Sequence, residues 1–182
     1  LAVMCVLMLS GPQTVGEIRT RDKPDNAEAQ GFLGGAYVEV GRFEDGIRHL
    51  ETALRLGDKS SGVYNYLGAA AMSLGRLPEA VAYFRRAVAA APRDEVMHYN
   101  LGTALSGLNR FAEAEAAFNR SIAVNPEYAD SHQNLAAMLM SKGRVKDAIP
   151  HFQRAVDLSP DSAVSHNNLG GALASAGRFA DA

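Results

Sequence analysis

Tryptophan is absent from the 182 residues, cysteine occurs once and aromatic residues make up 7% of the chain. A single cysteine, Cys5, excludes an internal disulfide framework and by itself supports no zinc site. An excess of one charge sign is also lacking. With 18 Lys and Arg against 20 Asp and Glu the formal charge is −2, so there is no basic footprint for nucleic acid. The apolar run LAVMCVLML at residues 1–9 breaks at Ser10-Gly11-Pro12, well short of the ~20 residues a membrane-spanning helix needs. Motifs of site chemistry are missing as well. There is no HExxH, no Cys/His cluster, no Walker loop and no serine in a Gly-x-Ser-x-Gly setting. These absences argue against an enzyme, a resident cofactor or metal, and a small-molecule substrate.

What the chain has instead is a period of 34 residues. Leu33-Gly34 recurs as Leu67-Gly68, Leu101-Gly102, Leu135-Ala136 and Leu169-Gly170. Ala80 recurs as Ala114, Ala148 and Ala182, Phe84 as Phe118 and Phe152, and Pro92 as Pro126 and Pro160. A fixed period of this length is the mark of a repeat array, in which each unit packs on its neighbours. The register predicts units at 27–60, 61–94, 95–128 and 129–162, and a partial unit at 163–182, after an N-terminal segment and linker at 1–26.

Each unit divides into two amphipathic helical patterns. In the third, Val96, Tyr99, Leu101 and Leu105 mark the first helix, and Phe111, Ala114, Phe118, Ile122 and Ala123 the second. The break falls at Gly41, Gly75, Asn109, Gly143 and Gly177. That is the left-handed position ending a helix, where asparagine is the usual substitute for glycine. Small residues at the Leu-Gly position and at Gly46, Ala80, Ala114 and Ala148 let the paired helices approach closely. Pro92, Pro126 and Pro160 end the units. Pro150 falls inside a helix and is expected to remove one backbone bond and bend it.

Arg42, Arg76, Arg110, Arg144 and Arg178 follow the breaks, each with an acid three residues on. An acid in the first turn of a helix meets the positive end of its dipole, so this row reads as turn chemistry rather than an anion site. The histidines fall at two repeat positions, His98, His132 and His166 at one, His49 and His151 at the other. Copies in neighbouring repeats should stand roughly 10 Å apart, too far to share an ion bound at ~2.0–2.1 Å unless different positions converge. They are expected to be partly exposed rings packed between helices.

The quoted residues resemble the tetratricopeptide repeat (TPR) family, over 27–182. The departures are Gly46 and Leu50 in the first copy and Ser121 in the third. The resemblance implies an all-α fold, a right-handed superhelix of antiparallel helix pairs whose concave wall, lined by the first helix of every pair, holds an extended peptide or partner segment. On this chain that wall would present Asn100, Asn134 and Asn168, flanked by Tyr99, Gln133 and Asn167, with Thr103, Tyr66, Met72 and Met140 adding contacts. The asparagine row is similar to that of the TPR superhelix of O-linked N-acetylglucosamine transferases, whose amides grip a peptide backbone. An amide can both donate and accept, so it suits a peptide group; bonding to a neighbouring helix or to water explains such a row equally well.

First-helix charges are Glu28, Glu39 and Asp130 with no Lys or Arg at the wall positions. That disfavours acidic tails and favours a neutral to mildly basic protein or peptide. The function expected is a protein–protein interaction scaffold; the alternative is the substrate-docking arm of a larger glycosyltransferase. The chain reads as a fragment, with self-association expected through its repeat ends. Residues 1–16 fit either the remnant of a secretory signal or a helix packed on the first repeat. The compartment is accordingly cytoplasmic under one reading and extracytoplasmic under the other.

Overall fold

The computed structural model describes residues 26–177. The signal-like segment, most of the linker and Arg178 with its acid lie outside them. Among the described residues there are nine helices: α1 (Ala27–Glu39), α2 (Phe43–Arg55), α3 (Ser61–Ser73), α4 (Leu77–Ala90), α5 (Glu95–Gly107), α6 (Phe111–Val124), α7 (Ala129–Ser141), α8 (Val145–Leu158) and α9 (Ala163–Ser175). No strand occurs among them, so the all-α expectation holds. The helices fall into two compact units, Leu1–Ala91 with α1 to α4 and Pro92–Ala182 with α5 to α9.

Within each unit, the two helices of a repeat pack as a hairpin, α1 on α2, α3 on α4, α5 on α6 and α7 on α8. Consecutive repeats join through second helix on first, α2 on α3, α6 on α7 and α8 on α9. First helices of neighbouring repeats also touch, α1 with α3, α5 with α7 and α7 with α9. The first helix of each pair is the A helix and the second the B helix.

The tight A-to-B turn has a local cause. The break residues have positive φ, from +58° at Asn109 to +79° at Gly41. This lets the next N–H turn back on the helix just ended: Arg42 donates to the Tyr37 carbonyl, Arg76 to Ala71, Arg110 to Leu105 and Arg144 to Leu139, all at 2.8–2.9 Å. These are the closing bonds of a Schellman motif. The same arginines are the N-cap residues of the B helices. Their side chains reach the acid one turn on: Arg42 to Asp45, Arg110 to Glu113 by two bonds of 2.7 and 2.8 Å, and Arg144 to Asp147 at 2.8 Å. Arg144 also grips Glu115 of α6. One residue thus closes one helix with its backbone and steadies the next with its side chain. The A helices start differently, with Asn26, Ser60, Asp94 and Ser162 accepting N–H bonds from the first turn.

The hairpin interior is built from the repeated residues. Phe84, Phe118 and Phe152 are buried at 0%, 1% and 3% exposure, each removal from water favouring the fold by ~1.5–3 kcal/mol. They lie against the small A-helix residues: a Cβ added to Gly68 would sit 2.6 Å from the Phe84 ring, and one added to Gly102 2.8 Å from that of Phe118. The first hairpin uses a different solution. There Gly46 is required because its Cβ would meet Val38 at 2.6 Å and the Gly34 carbonyl at 2.9 Å, and Leu50 fills the place of the aromatic. Helix α8 runs through Pro150, whose exposed position leaves its ring in solvent. No helix of the described residues is long and apolar enough to cross a membrane.

Candidate peptide-binding face

Helices α1, α3, α5 and α7 turn their Leu-Gly or Leu-Ala side into the hairpin, so the residue before the leucine is left at the flank, and α9 carries its counterpart at the same repeat position. That residue is Phe32, Tyr66, Asn100, Asn134 or Asn168. Phe32 is 63% exposed, and the other four are half-buried. Tyr99, Gln133, Thr103, Met72 and Met140 are also half-buried, while Asn167 is exposed.

The best-defined part of the face lies in the second unit. Nδ2 of Asn134 on α7 donates to the Tyr99 hydroxyl at 3.0 Å and reaches Thr103 Oγ1 at 3.5 Å, both on α5. Tyr99 in turn meets the Tyr128 ring edge-on, with centroids 5.4 Å apart, and Phe118 at 6.2 Å. Burial and the nearby Asp130 carboxylate raise the Tyr99 phenol, and the same two causes push Tyr128 up to about 12. Both hydroxyls therefore stay protonated at neutral pH and remain able to donate. On the next repeat, Gln133 accepts from Ser165 Oγ at 3.2 Å. Asn100 is engaged within the fold.

Of the residues expected on this wall, the structure brings Tyr99, Thr103 and Asn134 into one hydrogen-bonded group and links Gln133 to the following A helix. It brings no two of Tyr66, Met72, Met140 and Asn167 into a common polar contact. In the first unit Tyr66 donates to Glu39 Oε1 at 2.7 Å, and that bond, with burial, pushes the phenol up to about 12. Charge on the five A helices is of one sign: Glu28, Glu39, Glu95 and Asp130, with no Lys or Arg.

The histidines are where sequence reasoning fell short. His98 and His132 are buried at 7% exposure rather than partly exposed, while His166 is exposed, and a backbone partner satisfies each of the three rings. Nε2 of His98, His132 and His166 donates to the carbonyl of Pro92, Pro126 and Pro160, at 3.0, 3.2 and 2.8 Å. A ring thereby satisfies the orphan carbonyl where one repeat passes into the next. The constant Pro-to-His spacing was visible in the sequence and could have signalled this.

Two different repeat positions do converge. Nδ1 of His132 and Nδ1 of His151 stand 3.1 Å apart, ring centroids 5.4 Å. Since Nε2 of neutral His132 carries its proton toward Pro126, its Nδ1 accepts and His151 Nδ1–H donates. Burial depresses both imidazoles; Arg154 adds to this at His132, and His132 itself at His151, partly opposed by Asp147 and Glu115. Gln30 and His49 hold the same two places in the first repeat, 2.7 Å apart. No group of three or more metal-ligating side chains occurs among the described residues.

Ser121, which departs from the repeat pattern, is fully buried and donates to the Glu95 carbonyl at 2.8 Å. Ser131 Oγ lies 2.6 Å from it and serves as donor in turn, so the pair forms a polar stitch from α6 to α5 and α7.

The sequence profile of the tetratricopeptide repeat matches residues 33–95, 99–163 and 142–182. No curated protein matches the chain. Solved structures do. MamA from Desulfovibrio magneticus RS-1, residues 41 to the end, is 22% identical with a TM-score of 0.78, covering 89% of this chain and 93% of that one. YrrB, described as a TPR protein with an unusual peptide-binding site, is 18% identical with a TM-score of 0.74, covering 92% and 86%. The first TPR domain of Spaghetti (RPAP3), bound to the HSP90 peptide SRMEEVD, is 22% identical with a TM-score of 0.62, covering 64% and 93%. At these identities the likeness is one of fold: an all-α array of helical repeats.

Proposed function

The chain belongs to the tetratricopeptide repeat family, and we propose on that premise that it is a protein–protein interaction scaffold whose A-helix face holds an extended segment of a partner. The observation that carries the reading is the composition of that face. Five A helices offer amides, hydroxyls, aromatic rings and four carboxylates, and not one Lys or Arg. Such a wall suits a neutral to mildly basic peptide. Two of the similar structures are described by peptide binding, which supports a peptide as the kind of ligand. The acidic sequence SRMEEVD bound by one of them is the opposite of what this face would attract.

In the second unit Asn100, Asn134 and Asn168, with Gln133 and Asn167 beside them, meet the ligand main chain. In the free chain Tyr99 and Thr103 occupy Asn134 Nδ2, a contact the ligand main chain replaces, and Met140 supplies apolar contact. In the first unit Tyr66 and Met72 do the corresponding packing. The reading assigns no catalytic step to this chain. Exposed Phe32, Val40 and Val164, at 63%, 53% and 58%, add a tendency to self-associate at high concentration, which sedimentation velocity would detect. The alternative of a docking arm for a glycosyltransferase rests on the asparagine row alone, and none of the similar structures named above lends it support.

The test separates recognition from packing. An immobilised chain is used to capture peptides from a positional-scanning library. Asn134→Ala with Asn168→Ala should weaken capture while far-UV circular dichroism stays unchanged. Tyr99→Phe removes the acceptor that occupies Asn134 Nδ2 and should leave capture intact or improve it. Full-strength capture by the double variant, or equal loss with Tyr99→Phe, would mean that the amide serves only its neighbour.

A further inference from the structure

The first unit breaks the asparagine row, and its replacement has a chemistry of its own. On α1 every residue is buried or half-buried except one stripe, Glu28, Phe32, Ala36 and Glu39, spaced at roughly one helical turn and continued by the exposed C-cap residue Val40. Phe32 is the most exposed of the large apolar residues at 63%. Carboxylates stand one turn before it and two turns after it.

The second of these is already positioned. The Tyr66 ring lies flat on α1 at Gly35, where an added Cβ would come within 2.7–3.0 Å of three ring carbons, and its hydroxyl holds Glu39 Oε1 at 2.7 Å. Elsewhere among the described residues, ring faces at the edge of the packing are covered by the chain's own cations: Arg42 lies 4.4 Å from the Tyr37 centroid, Arg86 5.8 Å from that of Tyr64 and Lys142 4.6 Å from that of Phe111. Among the described residues no such cation covers Phe32, and neither α1 nor α3 carries one.

We propose that the Phe32–Glu39–Tyr66 patch is a side-chain subsite for a basic residue, arginine in particular, on the partner segment that the A-helix face holds. The aliphatic stem of the arginine lies along the Phe32 ring while its planar guanidinium takes the Glu39 carboxylate. Arginine fits better than lysine because it can both stack on a ring and pair by two bonds. Glu39 meets it at little entropic cost, since Tyr66 already holds one oxygen in place. Glu28 extends the attraction along the helix. The first unit thus reads a side chain where the second reads main chain. The inference rests on the scaffold reading for the existence of a bound segment, but it concerns different residues and is tested apart from it.

The experiment uses the full 182-residue chain, labelled with 15N, titrated with five blocked peptides that share a Gly-Ser background and differ only in a central Arg, Lys, Gln, Leu or Glu. The arginine peptide should give saturable shifts at the amides around Phe32, Glu39 and Tyr66, with lysine weaker and glutamate giving none. Glu39→Gln or Phe32→Ser should weaken the arginine peptide about tenfold, the scale of one desolvated cation–ring or charge-assisted contact, and Phe32→Tyr should restore it. Raising salt from 50 to 500 mM should weaken it further. A leucine peptide that binds α1 as tightly as arginine would overturn the proposal in favour of plain apolar docking. A response on α1 only after removal of residues 1–25 would overturn it too, by showing that the chain's own apolar segment holds the stripe. Equal shifts by all five peptides near Asn100, Asn134 and Asn168 with none on α1 would sink this subsite and leave main-chain gripping standing. Arginine-specific shifts on α1 without any in the second unit would do the reverse.

Discussion

Adding one methyl group at two glycines of the same helix should have opposite effects. Gly62 and Gly68 both lie in α3, Gly62 exposed in its first turn and Gly68 buried in its interior. Alanine is favoured over glycine in a helix by about 1 kcal/mol. At Gly62 the nearest described atom to the added Cβ is the Ser60 hydroxyl oxygen at 4.0 Å, so Gly62→Ala should realise part of that gain. At Gly68 the Cβ would stand 2.6, 2.7 and 2.9 Å from three carbons of the Phe84 ring, against an optimal carbon separation of about 3.5–4.0 Å. Phe84 is at 0% exposure and has nowhere to retreat without disturbing the hairpin. Overpacking of this kind costs about 1–3 kcal/mol, which outweighs the propensity term.

Gly68→Ala should therefore destabilise by about 1–2 kcal/mol and Gly62→Ala should stabilise by about 0.4–1 kcal/mol. For a chain of this size the two midpoints should differ by several degrees, at about 2–4 °C per kcal/mol. Thermal and urea unfolding followed by circular dichroism reads both. A cycle with Phe84→Leu identifies the cause: in the Gly68→Ala background the smaller side chain should cost less than in the wild type, with a coupling of about 0.5–3 kcal/mol. Equal effects of the two glycine substitutions, or no coupling to Phe84, would refute the claim that ring-to-backbone contact sets helix spacing.

His49, His132 and His151 are all depressed below the ordinary imidazole value, chiefly by burial, so the unfolded chain binds more protons. Their contribution is complete above about pH 6.5 and is lost as pH falls below it; thermal midpoints should drop between pH 7 and 5, and less so in His151→Ala. Asp45 and Glu95 are held low by Arg42 and Asn125 respectively, so their loss belongs to a lower window and a two-step acid profile is expected. Ser121→Ala strands the Ser131 hydroxyl in the interior and should cost about 1–2 kcal/mol, whereas Ser121→Ala with Ser131→Ala should cost less than the first change alone, as urea midpoints will show. Asn109, at φ +58°, should accept glycine without loss, while Asn109→Val should destabilise by about 1–2 kcal/mol or more.

The parts of the fold that could be read in advance are those whose cause is local. A positive-φ residue followed by arginine and an acid one turn later ends one helix and starts another whatever the rest of the chain does, and Asn109 obeyed the rule as well as Gly41, Gly75 and Gly143. The type of residue on the A-helix flank was legible for the same reason, since helical spacing alone puts Asn100, Asn134 and Asn168 in equivalent places. What each amide touches was not. The bond from Asn134 to Tyr99 depends on how far apart α5 and α7 stand, and that distance comes from the size of the residues between the helices. His132 and His151 escaped notice for a related reason, because they occupy different repeat positions that meet only across a hairpin. Ser121 and Ser131 were individually unremarkable and acquired meaning only as a buried pair.

The same division explains how one chain can carry two kinds of recognition on a single scaffold. Along α1, α3, α5 and α7 the leucine and the small residue after it face the hairpin and set its spacing, so a change there disturbs the packed leucine or phenylalanine of the B helix. The residue just before them points to the flank, and phenylalanine, tyrosine and asparagine all occur in that place on A helices that end in the same positive-φ turn. Chemistry at the flank is therefore free to vary from repeat to repeat at little cost in stability. If that is right, exchanging Phe32 for asparagine should leave the unfolding midpoint within about 0.5 kcal/mol of the wild type, as expected of an exposed position, while abolishing the response of α1 to an arginine peptide. A large loss of stability would instead make Phe32 part of the packing, and the separation of scaffold from recognition would fail at the first repeat.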